Sequence, residues 1–181
     1  MLTASYLKKN NICEYLLYMW QVEDLLRALR LDMIRITETL VDTRNFKDVA
    51  ERKAVIDWYE SLVDMMRAEG VTAKGHLQLN KNTILDLNDF HQRALRSGLL
   101  PEYNAKFFHV VPLIQQLRMK SEEGLTDIEL CFNFQYGILL LKLQKKEIGN
   151  ETLKTQEEIA KFMVLLAKNY HLYSNGELDL E

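Results

Sequence analysis

Nine apolar residues, Ile12, Tyr15, Met19, Val22, Leu26, Leu29, Met33, Ile36 and Leu40, follow one another in unbroken alternating steps of three and four. A strand returns to the same face every second residue, so only a helix gathers these positions into one seam. The spacing predicts a single helix over 11–41, on the order of 45 Å long at a rise of about 1.5 Å per residue. A helix of that length suits the spine of a bundle, and the rest of the chain must supply its neighbours.

Five further helical segments are legible. After DTRN (42–45), Asn45 as cap with Asp48 in the first turn opens a second helix whose apolar side carries Val49, Ile56, Tyr59, Leu62, Val63 and Met66, closed by Gly70. A third, 82–97, carries Ile84, Leu87 and His91 and ends at Gly98. Pro101 starts a fourth, with a helical line through Tyr103, Phe107, Val110, Ile114 and Leu117. Pro112 removes a donor there and clashes with the preceding turn, which predicts a kink or a split near 108–112. Thr126 with Glu129, and Thr155 with Glu158, read as capping boxes opening a fifth and a sixth helix. The fifth, rich in Leu, Phe, Ile and Tyr around most of its circumference, is expected to be the central member. The expectation is therefore an all-α, single-domain bundle of about six helices spanning 1–181, with 1–10 and 174–181 as frayed ends. Only 7 Gly and 2 Pro in 181 residues agree with a helical chain.

Several function classes find no support. A formal charge of -3, with the 23 Lys and Arg distributed along the chain, gives no general attraction to phosphate backbones, so nucleic acid is not an expected partner. The most apolar stretch, LCFNFQYGILLLKL (130–143), falls short of the roughly 20 residues of a membrane span, and no signal-peptide pattern opens the chain. Cys13 and Cys131 sit among apolar residues, as buried free thiols of a reducing compartment do, and the expected location is the cytoplasm. No Glu-x-x-His or His-x-x-x-His pair points to a metal, and no Gly-rich phosphate loop or Gly-x-Ser-x-Gly elbow points to a cofactor or nucleophile. No catalytic residue is assigned, and the reading leans away from an enzyme.

Polar residues on apolar faces are the remaining candidates. His91 reads first as a core-edge imidazole bonded to a neighbour, and second as a group lining a pocket with Tyr103 and His109 beside the Pro112 kink. Asn133 and Gln135 need partners if buried, and pairing that fixes helix register is the plainer reason for them. Lys142, Lys145 and Lys146 read as a solvated helix end.

With Ile12 at heptad position a, a second apolar line appears behind the first seam: Leu17, Trp20, Leu31 and Ile34, interrupted by Glu23, Asp24 and Arg27. Other helices of the same chain are the commoner cover for such a face. The alternative is an exposed contact for a second copy or another protein, with Leu17, Trp20, Asp24, Arg27 and Leu31 as its residues. Glu23 and Asp24 are both placed to pair with Arg27. The chain is thus expected to be an interaction or structural protein that forms homo-oligomers or binds a protein partner. The competing expectation is a small-molecule-binding protein or enzyme with a pocket near His91, Tyr103 and His109.

The run NICEYLLYMWQVEDLLRALRLD, with the helical pattern continuing through LCFNFQYGILLLKLQKKEI, resembles a group of small bacterial proteins classified as a domain of unknown function. The resemblance covers essentially the whole chain. It implies a bacterial, cytoplasmic origin and carries no catalytic residues with it.

Overall fold

The structure, a computed structural model, describes residues 3–180, and these contain helices and no strand. Eight α-helices are present: α1 (Thr3–Asn10), α2 (Ile12–Ala28), α3 (Met33–Ile36), α4 (Val49–Ala68), α5 (Gln78–Ser97), α6 (Pro101–Arg118), α7 (Asp127–Leu143) and α8 (Asn150–Ser174). A π-helix, Thr37–Val41, follows α3 directly. The chain divides into two compact units. The first comprises the residues up to Asn10 with Glu14–Asn82, the second Asn11–Cys13 with Thr83 onward.

In the first unit the long seam is real but its helix is not continuous. Tyr15, Met19, Val22 and Leu26 are all buried as the spacing requires. At Arg30 and Leu31, however, the backbone turns left-handed (φ 60° and 55°). The amide of Leu31 donates to Leu26 O at 2.9 Å and that of Arg30 to Arg27 O at 2.9 Å, a closed C-terminal turn built without glycine. Asp32 then caps α3, accepting from Ile34 N at 2.9 Å, and Arg67 Nη2 fixes the turn by donating to Leu31 O at 3.0 Å. A period of 3.5 persists through such a break because the chain re-enters a helix on the same face. The predicted spine is therefore two helices and a π-turn, and six helices become eight.

α4 opens at Asp48, whose carboxylate accepts from Glu51 N at 2.8 Å, while Glu51 reaches back to Lys47 N at 2.9 Å. Its buried line is Val55, Tyr59, Leu62, Val63 and Met66. The segment expected to fray at the start forms α1 from Thr3, with Ala4 buried, and residues 1–2 lie outside the described range.

In the second unit α6, α7 and α8 pack pairwise. α7 begins with the predicted capping box: Thr126 accepts from Glu129 N at 3.2 Å and Glu129 accepts from Thr126 N at 2.8 Å. Ile128, Leu130, Cys131, Phe132, Tyr136 and Ile138 are buried along it. Gln135 is buried too, and exchanges bonds with Gln156: Gln135 Nε2 donates to its backbone O at 2.8 Å and receives its Nε2 at 3.2 Å. Asn133, by contrast, is exposed.

Two boundaries differ from the sequence reading. α8 starts at Asn150 after Gly149, so Thr155 and Glu158 lie inside the helix and form no cap. Pro112 does not divide α6, which runs unbroken from Pro101 to Arg118. The carbonyl of Phe108, which loses its donor to the proline ring, belongs to an exposed residue, so water can serve it. Of the tail beyond α8, Leu180 is buried, and residue 181 lies outside the described range.

Candidate functional site

The back face of the seam is occupied within its own unit around Trp20 and Leu31, while Ile34 at its far end is 71% exposed. Trp20 is only 4% exposed, and its ring stacks on that of His76 with centroids 4.2 Å apart and planes 15° apart. Glu23, expected beside Arg27, is wholly buried and serves the connection that follows α4. It accepts from His76 Nδ1 at 2.6 Å, from Leu77 N at 2.9 Å and from Asn80 Nδ2 at 2.6 Å. Arg27 donates through Nε to Val71 O at 3.2 Å and through Nη2 to Gly75 O, while Nη1 holds Asp24 at 2.8 Å. Loops over 71–77 are costly to order, and here one stack, one carboxylate and one guanidinium do it. Leu31 is buried, and Leu17, Asp24 and Arg27 are half-buried. The line proposed as a contact is a latch for a loop, and its aromatic anchor is out of a partner's reach.

The three residues of the expected pocket are not gathered at one opening. His91 and Tyr103 do meet, Nδ1 to hydroxyl at 2.7 Å, but both are sealed in the core among Phe90, Phe107 and Phe162. Burial pushes the His91 imidazole down to about 4 and the Tyr103 phenol far upward, so both are neutral at physiological pH. A neutral imidazole facing phenyl rings is a packing residue with one satisfied polar edge. His109 is exposed on another side of α6 and approaches Glu158 at 3.1 Å. Glu158 also receives Lys106 Nζ at 2.6 Å and Lys161 Nζ at 2.9 Å, and these cations hold its carboxyl down to about 2. Glu158 is thus the hub of an ion-pair group clamping α6 to α8.

α6 carries a feature that the sequence reading passed over. Its inward line, Tyr103, Phe107, Val110 and Ile114, is buried. On the outward side Pro101, Ala105, Phe108, Pro112, Gln115 and Met119, at and just past the helix end, are all exposed and again alternate steps of four and three. Phe108 is 65% exposed and Met119 79%. A helix in contact with water on one side normally places charge there. This one offers a second apolar stripe on the same 3.5-residue period that a helical partner would require.

In the first unit a cleft of about 270 Å³ opens between α2, α4 and the connection that precedes α4, with Tyr18, Arg44, Phe46 and Trp58 in its wall. Among the described residues no group of His, Cys, Asp and Glu is placed to hold a metal ion, and no helix is long and apolar enough to cross a membrane. Cys13 and Cys131 are both buried free thiols, and burial pushes the Cys131 thiol far upward, away from the reactive thiolate.

A family model described as a domain of unknown function, DUF4924, matches residues 1–177. No curated protein and no solved structure matches the chain.

Proposed function

The chain belongs to the DUF4924 family of domains of unknown function, and from its own geometry we propose that it is an interaction protein that self-associates through the outward stripe of α6. The observation that carries this reading is the exposure of Phe108 and Met119 in register with Ala105 and Pro112, on a helix whose opposite line is already buried. Large apolar side chains scattered singly need no explanation, but a periodic row of them does.

Charge favours a second copy laid antiparallel. The stripe has Glu102 at its N-terminal end and Lys120 at its C-terminal end, both exposed. A two-fold arrangement centred between Phe108 and Pro112 sets Phe108 on the partner's Pro112 and brings each Glu102 within a helical turn of the partner's Lys120. The helix dipoles then also run in opposition. The proposed setting is the cytoplasm of a bacterial cell, supported by the buried thiols and by the likeness of the N-terminal run to small bacterial proteins.

A dilution series followed by amide resonances tests the assignment of the surface. Shifts that change with concentration are expected at Ala105, Phe108 and Met119. Changes confined to other helices, or none at millimolar protein, would contradict it.

A further inference from the structure

The cleft in the first unit has the makings of a ligand site independent of the α6 stripe. It is lined by Arg44, Asn45 and Phe46 of the connection before α4, by Ala54, Val55 and Trp58 of α4 itself, and by Tyr18 of α2. Its apolar wall is aromatic. Tyr18 and Trp58 present nearly parallel rings, 11° apart in plane with centroids at 6.5 Å, and Phe46 stands with them in the lining.

Among the described residues, the one cation in that lining is Arg44. Nearby, Arg52 grips Asp42 at 2.7 Å, and Glu51 accepts the Lys47 amide at the start of α4 while its charge stays in the lining. Among the described residues no carboxylate lies within ion-pair distance of Arg44. The phenols of Tyr18 and Tyr59 lie near its guanidinium charge. A guanidinium has five N–H donors in a rigid fork, which suits the two oxygens of a carboxylate ligand.

We propose that this cleft binds a small planar aromatic carboxylate, its ring laid against Trp58 and Tyr18 and its carboxylate received by the Arg44 fork. Bidentate geometry matches the carboxylate to guanidinium, and the flat faces supply the remaining contact. The volume, at the lower edge of the usual ligand range of roughly 300–1,000 Å³, restricts the occupant to one or two rings. Glu51 in the same lining sets the charge: it tolerates a monoanion beside Arg44 and repels a phosphate dianion.

Calorimetric titration of the full chain with indole-3-acetate, with indole and with inorganic phosphate tests the proposal, and amide resonances locate any binding. Indole-3-acetate is expected to bind with shifts at Tyr18, Arg44 and Trp58, indole at least tenfold more weakly, and phosphate not measurably. Arg44→Gln should bring indole-3-acetate to the level of indole, and Arg44→Lys should fall between. Both variants are expected to keep the wild-type helical spectrum, since the residue is exposed. The proposal is overturned if wild type binds none of the three probes, if Arg44→Gln binds indole-3-acetate as tightly as wild type, or if phosphate binds as well as the carboxylate.

Discussion

Glu23 shows how much one side chain can hold in place here. A carboxylate taken wholly out of water is tolerable only when its oxygens are fully served, and three donors, from His76, Leu77 and Asn80, do so. Glu23→Ala would strand those donors and cost about 3 kcal/mol or more, and a denaturant midpoint close to wild type would refute that accounting. Faster hydrogen exchange at the Leu77 amide should accompany the loss, because its acceptor is gone. His91 makes a complementary statement about pH. Its folded value, about 4, lies below the ordinary 6.5, so the unfolded chain takes up the proton first. Its neutral form supports the fold fully above about pH 6.5, and that support drains away as pH falls toward 4, a loss of up to about 3 kcal/mol. Unfolding free energies measured across that range should fall in wild type and stay nearly flat in His91→Phe if that variant folds.

The sequence reading of His91 as a core imidazole bonded to a neighbour agrees with its bond to Tyr103, whereas the role of Glu23 was not legible. Glu23, Asp24 and Arg27 stood out as charges on an apolar helix, and Asp24 does pair with Arg27. The partners of Glu23 and Trp20 lie more than fifty positions downstream, in the loop before α5 and in the first turn of that helix, and no local periodicity reports where a loop folds back.

Among the helices, local chemistry was most legible. The Thr126–Glu129 box opens α7 as written, because both of its bonds are made within four residues. The same motif at Thr155 failed because α8 gains an additional turn ahead of it from Asn150, leaving Glu158 to bind Lys106 on α6. The break at Arg30 and Leu31 was hidden because neither is the glycine that usually marks a left-handed turn. Their conformation implies a correctable strain: Arg30→Gly should raise stability by about 0.5–1 kcal/mol. Thermal melts of that variant should move upward, and a fall would show that the turn carries no such strain. The stripe on α6 was equally readable as a 3.5 period, yet its row of Pro, Ala, Phe, Pro, Gln and Met is less apolar than the inward line. Periodicity alone does not say which of two lines a fold will bury.

At the scale of the whole molecule, the back face around Trp20 was the open question of the sequence and is covered within the chain, whereas the outward face of α6 came into view only with the fold. Trp20 is spent on holding a loop, so Trp20→Ala should lower stability without acting on association. Phe108 and Met119 remain outside, and they carry the proposed interface. The all-helical class followed from period and from scarce glycine and proline, whereas the surface that meets another molecule depends on what the neighbours leave uncovered. Sedimentation of wild type and Phe108→Glu over a wide concentration range tests the central claim. Wild type should shift from monomer to dimer as concentration rises, while Phe108→Glu stays monomeric with an unchanged helical spectrum. A wild type that remains monomeric throughout, or a Phe108→Glu variant that dimerises equally well, would contradict it.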